Sequence, residues 1–267
     1  MKQSLCLFAA AAAVVFAGGS ALAADLPTKA PYYKAPVYYG WSGCYIGANV
    51  GGVRSRFRDE WTPNSAGFPT SGPSLTDNGA ASIRDSGLIG GGQIGCNLET
   101  NRVVWGVEGD FSGTNLHGTR NVAVPASGPV AAYSIHEEFR ARWLSTVRGR
   151  FGFAVAHSTL FYGTGGVAFA HLNTSDSAVF PASSTNNTVS GSSTRVGWTV
   201  GGGIEHALSP GWSIKAEYLF ARFEHFNTTS ANSNPGLFPV STIGHDHRLD
   251  EQIVRIGLNY RLGGGWY

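Results

Sequence analysis

The sequence is poor in charge, in methionine and in long hydrophobic segments. Of its 267 residues, 13% are charged and one is methionine, whereas 37 are glycine and 12% are aromatic. This composition is unlike that of a soluble helical enzyme, and the hydrophobic fraction of 42% excludes a disordered chain. The formal net charge of +2 is too small to indicate binding to nucleic acid.

The most apolar run lies at the N-terminus and is too short to cross a bilayer as a helix. Lys2 precedes it, residues 5–17 form it, and Ala21-Leu22-Ala23 follows with the small-x-small pattern of a cleavage site. We therefore predict a secretory signal peptide at residues 1–23. Residues 24–40 are rich in proline and tyrosine and are predicted to be a periplasmic linker, because frequent proline prevents strand pairing.

Alternation with a period of two is the dominant pattern in the rest of the chain. In the last such segment, residues 255–262, every second side chain is Ile, Leu or Tyr, and those between are Arg, Gly or Asn. No helical pattern accompanies these segments to cover their apolar faces, so we expect lipid to cover them. Eight strands are predicted, at residues 41–54, 83–98, 103–116, 137–153, 159–172, 194–208, 212–226 and 250–262.

The connections between these strands alternate in length. Three are short, at residues 99–102, 155–158 and 209–211, and four are long and polar, centred near Gly67, Ala126, Ser184 and Asn232. Short turns at one end, long loops at the other and an even strand count are typical of a membrane barrel. Residues 41–267 are therefore predicted to form an all-β, eight-stranded antiparallel up-and-down transmembrane β-barrel in the outer membrane. Both termini are expected in the periplasm and the long loops outside the cell.

The faces predicted to point inward carry charges of both signs. An eight-stranded barrel is just wide enough for side chains to fill, and an unpaired buried charge costs several kcal/mol. We therefore predict a self-paired network in the lumen; a gated proton or ion path is the alternative. The predicted members are Glu108, Asp110, Arg148, Arg150, Glu205, Lys215, Glu217 and Arg255, with Arg261 on the same face.

Aromatic residues recur near the strand ends that are predicted to be periplasmic. If both termini lie on that side, these residues share one height and form an aromatic girdle at the membrane interface. Aromatic residues scattered over a soluble sandwich are the alternative. The predicted girdle consists of Trp41, Trp105, Phe151, Trp212 and Tyr260.

Cysteine is scarce, with three residues in the chain. Cys6 lies in the predicted signal peptide, which leaves Cys44 and Cys96 as a pair in an oxidising compartment. Both are predicted to point outward, at the same height, from neighbouring strands. We therefore predict a disulfide bond between them; two unpaired apolar side chains are the alternative, because disulfide geometry is strict.

Four separated motifs resemble those of the RopB-type outer-membrane proteins of alphaproteobacteria. They are Trp41-Ser42-Gly43-Cys44-Tyr45-Ile46-Gly47-Ala48-Asn49, Gly91-Gly92-Gln93-Ile94-Gly95, Thr146-Val147-Arg148-Gly149-Arg150 and Val254-Arg255-Ile256-Gly257-Leu258-Asn259-Tyr260-Arg261. The resemblance implies an eight-stranded barrel like the OmpA membrane domain. Members of that family are surface antigens and envelope-stabilising proteins, and some have been linked to haemin binding.

The last strand also resembles the C-terminal signal by which such barrels are recognised for insertion. The signal has a polar residue, a glycine, an aromatic residue and a final aromatic position, which correspond here to Arg255, Gly257, Tyr260 and Leu262. Leu262 departs from the pattern because it is not aromatic. The resemblance implies the barrel-assembly machinery as a partner during insertion.

Two further patterns bear on chemistry. His245-Asp246-His247 is predicted to lie in the last long loop as a solvated segment; ligation of a metal or haem iron by His245 and His247 is the alternative. Gly90-x-Gly92-x-x-Gly95 has the spacing of a dinucleotide-binding motif, but a strand end and a turn follow it where that motif needs a helix. We therefore expect neither a cofactor nor an enzyme; a barrel enzyme built on Ser241, Asp246 and His247 has no support from spacing.

Together these patterns predict a non-enzymatic outer-membrane barrel that stabilises the envelope and displays loops outward. A small gated channel and a haem- or ligand-binding surface protein are the alternative functions. The expected partners are outer-membrane lipids and lipopolysaccharide, the assembly machinery, and a haemin, host or phage ligand at the loops.

Overall fold

The structure is a computed structural model that describes residues 40–64, 66, 68, 71–156, 158–234 and 241–262. The predicted signal peptide, and the predicted linker as far as residue 39, lie outside the described residues. Within the described part of the chain, no helix is long and apolar enough to cross a membrane.

Nine strands, one eight-residue helix and a three-residue 3-10 helix at Pro181–Ser183 make up the regular structure of the described residues. The strands are β1 Gly43–Pro63, β2 Ala81–Thr100, β3 Val103–Val124, β4 Tyr133–Ala156, β5 Thr159–Phe180, β6 Thr185–Ser209, β7 Trp212–Phe223, β8 Phe226–Asn232 and β9 Thr242–Leu262, and the helix is α1 Gly72–Gly79.

The strands close into one antiparallel ring. Each strand from β1 to β7 pairs with the next, and β9 pairs with both β7 and β1, so that Cys44 lies opposite Leu262 and Pro63 opposite Ile243. The short β8 also pairs with β9, beyond the end of β7, and with β6. Because β7 and β8 occupy one position in succession, the ring has eight positions, and the predicted eight-stranded antiparallel barrel is confirmed.

The short connections are where the sequence places them, between β2 and β3, β4 and β5, and β6 and β7. Asn101 and Arg102 link β2 to β3 with φ values of 50° and 70°. Two successive residues of positive φ are typical of the type I′ turn, whose twist matches that of paired strands. We call this end of the barrel the short-turn end and the opposite end the long-loop end.

The strands at the long-loop end extend much further than predicted. The loop predicted around Ser184 is reduced to residues 181–184, because β5 and β6 pair continuously from Thr159–His206 to Phe180–Thr185. In this region the outer face of β5 is mostly polar, as at Asn173, Ser175 and Ser177, so apolar alternation along that face does not reveal the strand. The predicted loop around Ser184 is therefore wrong as a long structureless segment, although the connection lies at its predicted centre.

The outer face of the ring carries a belt of exposed apolar side chains. Trp105, Val147 and Ile256 are 57%, 59% and 56% exposed, whereas their inward neighbours are buried. The predicted phases of β3, β4, β6, β7 and β9 are confirmed. We call this belt the apolar band; it covers the half of the barrel nearer the short-turn end.

Strand β5 has a phase that could not be predicted from the sequence. Leu160 and Tyr162 are buried inside, while Phe161 and Val167 are half exposed outside. Because both faces of β5 carry apolar residues and glycine breaks the alternation, periodicity alone does not separate them.

The lumen is filled by successive layers of side chains. From the short-turn end they are a basal apolar layer, a charge network, a central apolar layer, a histidine–carboxylate cluster and an apolar cap to which α1 contributes Leu75. The basal layer consists of Trp41, Val104, Ala154, Leu160 and Tyr162; the central layer includes Phe57, Leu116, Phe139, Leu144, Phe223 and Ile253; the cap includes Trp61, Phe68, Leu75, Tyr133, Phe180 and Ile243.

Trp41 lies in the basal layer and not in the predicted aromatic girdle. It is buried, and its backbone N–H donates to a carboxylate oxygen of Glu99 at 2.7 Å. Trp41 shares the inward phase of Tyr45 and Asn49, so the alternation itself places it inside the barrel. The prediction was wrong because it used the position of Trp41 at the start of the strand instead of its phase.

Candidate functional site

The charge network is centred on Arg148, which projects inward from β4. Its guanidinium donates to Glu108 at 2.5 Å, to Asp110 at 3.0 Å and to Glu217 at 3.0 Å, and its Nε donates to the Thr146 hydroxyl at 2.8 Å. One planar cation therefore joins carboxylates from β3 and β7 across the lumen.

Arg255 and Lys215 complete the centre of this network. Arg255 lies 2.7 Å from a carboxylate oxygen of Glu217 and 3.1 Å from Asp110, and Lys215 donates to Glu108 at 2.8 Å. Gly257 on β9 leaves room for the Lys215 side chain. A Cβ atom at this position would lie 3.0 Å from the Cε atom of Lys215.

Arg150 and Glu205 form the part of the network nearest the basal layer. They are paired at 2.6 Å, and the guanidinium carbon of Arg150 lies 4.0 Å from the centre of the Tyr162 ring. The Tyr45 hydroxyl accepts a hydrogen bond from Arg150 and donates one to Glu108, each at 2.6 Å. Arg150 is thus compensated by an ion pair, a hydroxyl and an aromatic face.

All eight predicted members of the network are brought together, and each is at most 5% exposed. Four are acids and four are bases, so the set is neutral. The sequence did not identify its uncharged members, since hydroxyl and amide side chains give no signal distinct from an ordinary strand. They are Tyr45, Gln93, Thr146, Tyr162, Ser213 and Asn259.

This arrangement leaves little room for a water-filled path. The cavity next to the network at the short-turn end, lined by Trp41, Tyr45 and Arg261 among others, has a volume of about 10 Å³. That is about the space of one water molecule. The chemistry that the network supports is therefore mutual compensation of charge, which fixes the register of the strands that contribute to it.

The histidine–carboxylate cluster lies farther along the lumen, beyond the apolar band. His245 and His247 were predicted to lie in a loop, but both are in β9, point inward and are at most 2% exposed. Asp59 on β1 and Asp176 on β5 face them and are 1% exposed each. Asp246, between the histidines, points to the opposite face. Ser241, Asp246 and His247 therefore do not share one site.

Short distances connect the members of this cluster. His247 Nδ1 lies 3.2 Å and His245 Nδ1 lies 3.8 Å from the two oxygens of Asp59, and His247 Nε2 lies 3.5 Å from Asp176. Glu137 on β4, the register partner of Asp176, is paired with Arg120 at 3.1 Å. Asp59 and Asp176 thus face imidazoles, whereas Glu137 has a cation.

Burial dominates the proton equilibria of this cluster. Desolvation, together with the charges of Asp59 and Glu137, raises the pKa of Asp176 to about 9. Desolvation raises the pKa of Glu137 to about 7, although Arg120 opposes the shift. Desolvation also lowers the pKa of His247 to about 4, so its imidazole is neutral at pH 7 despite the proximity of Asp59. The cluster is therefore not a set of stable ion pairs like the charge network.

The predicted disulfide bond is confirmed. Cys44 and Cys96 are register partners on β1 and β2, their side chains lie on the outer face, and their sulfur atoms are bonded at 2.06 Å. The bond joins the first two strands near the short-turn end.

Four of the five predicted girdle residues lie on the outer face near the short-turn end. Trp105 and Phe151 pack edge to face with ring centres 4.6 Å apart, and Trp212 and Tyr260 pack at 5.0 Å. Their contact with a membrane interface stays a prediction. The same holds for the insertion signal, of which Tyr260 and Leu262 point outward and Arg255 inward.

Arginines surround a shallow groove on the outer face just beyond the apolar band, towards the long-loop end. One acid, Asp250, lies among them and pairs with Arg222 at 2.7 Å and with Arg58 at 3.3 Å. We call this surface the arginine belt; its members are Arg54, Arg56, Arg58, Arg84 and Arg222.

Comparison with known proteins agrees with this architecture. The family model described as the outer membrane protein beta-barrel domain matches residues 8–261. The chain belongs to this family. It is 31% identical over 251 residues to the 31 kDa outer-membrane immunogenic protein of Brucella melitensis, and the match covers 91% of this chain and 94% of that protein.

Further relatives are also described as outer-membrane proteins. The 25 kDa outer-membrane immunogenic protein of Brucella canis is 24% identical over 98% of this chain and 100% of its own length. The 22 kDa outer membrane protein of Rhizobium leguminosarum is 27% identical over 64% of this chain and 66% of its own length. The resemblance to alphaproteobacterial outer-membrane proteins is confirmed, and this protein is a β-barrel of the outer membrane.

Solved structures with a similar arrangement of strands have low sequence identity to this chain. The crystal structure of the outer membrane protein OprG from Pseudomonas aeruginosa is 13% identical, covers 84% of this chain and 98% of its own, and has a TM-score of 0.44. That of Ail from Yersinia pestis is 15% identical, with a TM-score of 0.35 over 82% of this chain and 99% of its own.

Proposed function

We propose that this protein is a non-enzymatic barrel that stabilises the outer membrane, with a lumen closed by the charge network. The observation that supports this most directly is the complete pairing of four acids and four bases inside the apolar band. Buried charges compensated in this way lock the register of the strands, and among the described residues they fill the lumen at this level. The separation of Asp246 from Ser241 and His247 favours a non-enzymatic role.

Loss of the protein from its outer membrane tests the stabilising role. A strain that lacks the protein is expected to take up more of a hydrophobic fluorescent dye and to tolerate less detergent than its parent. The wild-type chain should restore both properties. Unchanged dye uptake and detergent tolerance in the strain without the protein would contradict the proposed role.

The proposed orientation has both termini in the periplasm and the long-loop end outside the cell. It is supported by the short turns at one end and the long connections at the other. An epitope inserted after Ser127, between β3 and β4, should bind antibody on intact cells. One inserted after Asn101, in a short turn, should bind only after permeabilisation; the reverse result would invert the orientation.

We propose lipopolysaccharide as the lipid partner of the arginine belt. In the proposed orientation the belt lies at the height of the outer-leaflet headgroups, and guanidinium groups suit phosphate recognition. Five arginines against one acid give the groove a strong positive charge. Purified lipopolysaccharide should raise the unfolding temperature of the refolded wild-type barrel more than that of an Arg54→Ser/Arg56→Ser/Arg84→Ser variant. Equal shifts, or equal shifts with dephosphorylated lipopolysaccharide, would contradict phosphate recognition.

A further inference from the structure

Three residues of the histidine–carboxylate cluster are placed like the ligands of a metal ion. Asp59, Asp176 and His245 come from β1, β5 and β9, and each offers one ligand atom such that all three atoms lie within 4.8 Å of one another. Zinc bonds of about 2.0–2.2 Å place ligand atoms roughly 3.3–3.6 Å apart. Contraction of the set by about 1 Å would bring it to that geometry.

Each of these three residues has a buried atom that lacks a hydrogen-bond partner among the described residues. The atoms are Oδ1 of Asp59, both carboxylate oxygens of Asp176, and Nδ1 of His245. Leaving a buried polar atom unpaired costs about 1–3 kcal/mol, and more if it is charged. Several such atoms that converge on one point are more than an ordinary core tolerates, and a cation among them would compensate them all.

Hydrogen bonds with neighbouring side chains fix the orientation of Asp59 and His245. Trp61 Nε1 donates to the Asp59 Oδ2 atom at 2.8 Å, and Ser230 Oγ lies 3.1 Å from His245 Nε2. When Nε2 of His245 carries the proton and donates it to Ser230, the lone pair of Nδ1 faces Asp59. Outer contacts of this kind fix the tautomer and orientation of metal-binding histidines.

We propose that Asp59, Asp176 and His245 bind a divalent transition-metal ion of the zinc class inside the barrel, with the fourth position left to a water molecule. A mixed set of imidazole and carboxylate suits zinc, whereas calcium and magnesium prefer sites made of oxygen alone. His247 lies beside this set, and its two nitrogens face different carboxylates, with Nδ1 3.2 Å from Asp59 and Nε2 3.5 Å from Asp176.

The burial of His245 and His247 favours a bare metal ion over haem as the bound group. His245 and His247 lie between the central apolar layer and the cap, stacked with ring centres 6.0 Å apart, and the rings of Phe57 and Trp61 pack against them at 5.3 and 4.7 Å. This packing leaves no room for a macrocycle. The ion would instead cross-link β1, β5 and β9 beyond the membrane, where the described residues form no balanced charge network.

Cobalt(II) serves as the probe, because its visible absorption reports coordination geometry and its content can be counted. The full barrel is refolded with cobalt(II), excess ion is removed by gel filtration, and the metal content and spectrum are measured. We expect a single retained ion per chain with the intense visible bands of a four-coordinate site, displaced by added zinc. Refolded wild-type protein that retains no cobalt would overturn the proposal.

Variants then assign the site to these residues. Asp176→Asn and His245→Gln should each lose the retained ion, whereas His136→Gln, which changes an exposed histidine on the outer face, should keep it. A heat-dependent shift on gels confirms that each variant is folded, and Asp59→Asn replaces any that is not. Folded Asp176→Asn, His245→Gln and Asp59→Asn proteins that keep the ion and its spectrum would show that the metal binds elsewhere, and would overturn the proposal.

Discussion

The lumen contains two buried clusters of charged or ionisable side chains. They differ in how the energetic cost of burying charged groups is compensated. In the charge network, Glu108, Asp110 and Glu217 surround Arg148, and every acid has a guanidinium or ammonium partner. In the histidine–carboxylate cluster, Asp59 and Asp176 face imidazoles, and several of their atoms have no hydrogen-bond partner within the described part of the chain. The charges of the first cluster compensate one another, although Arg150 Nε has no hydrogen-bond partner among the described residues, whereas the second cluster has an excess of acceptors that a cation would compensate.

The difference follows the height of each cluster in the barrel. The charge network lies inside the apolar band, where lipid surrounds the strands and an uncompensated charge would be most costly. The histidine–carboxylate cluster lies beyond the band, where the outer faces of the strands carry Arg58, Glu138 and Asp250. There the barrel wall is hydrated, and a buried site can depend on an ion taken up from solution.

Removing the central cation of the charge network should have the largest effect. Arg148→Met leaves three carboxylates without their shared partner, so we expect the free energy of unfolding to fall by about 3–5 kcal/mol. Urea unfolding in lipid vesicles, followed by tryptophan fluorescence, measures it. Arg222→Met is the matched control: it breaks an exposed pair with Asp250 and should cost less than about 1 kcal/mol. Equal losses for the two variants would contradict the importance of the network.

The same substitution should have opposite effects in the two clusters. Asp110→Asn takes a partner from Arg148 and Arg255 and should lower the free energy of unfolding by about 3 kcal/mol. Asp176→Asn, measured with a chelator present, removes an acid that has no hydrogen bond among the described residues and should raise it by about 1 kcal/mol. If Asp176→Asn lowers the free energy of unfolding of metal-free protein as much as Asp110→Asn does, the proposed difference between the two clusters is wrong.

The disulfide bond cross-links β1 and β2 at the short-turn end. A Cys44→Ala/Cys96→Ala variant should lose about 2–4 kcal/mol of unfolding free energy, because the bond closes a segment of 52 residues in the unfolded chain. Dithiothreitol should lower the stability of the wild-type protein by a similar amount and leave that of the variant unchanged. A wild-type protein that is indifferent to the reductant would rule out this contribution.

Aromatic contacts on the outer face should contribute least. Trp105→Leu keeps an apolar side chain toward the lipid but loses the edge-to-face packing on Phe151, so we expect a loss of about 1 kcal/mol in the unfolding free energy. The same vesicle assay measures it. A loss as large as that of Arg148→Met would shift the main source of stability from the lumen to the outer face.

The sequence was most informative where lipid touches the barrel. Apolar side chains such as Val107, Val147 and Ile256 mark the outer face, so the charges at alternate positions are assigned to the lumen by elimination. All eight members of the network and the Cys44–Cys96 bond could be predicted in this way. Trp41 could have been placed by the same alternation, since it has the phase of Tyr45.

Beyond the apolar band, apolar side chains no longer mark the outer face of the strands. Outer residues there are polar, so His245 and His247 alternate with Asp246 and Arg248 without an apolar marker, and the segment resembles a loop. The partners Asp59 and Asp176 are separated from the histidines by long stretches of chain and come together only through the closure of β9 on β1. Such a site requires the register of the complete ring.

The electrical conductance of the wild-type barrel in a planar lipid bilayer tests the central claim, that paired charges close the lumen at the level of the membrane. With Arg148, Arg255 and Lys215 held by their carboxylates, we expect inserted protein to give no discrete current steps at neutral pH. Stable, ohmic steps from properly folded barrels would mean that ions pass the network, and would contradict the account.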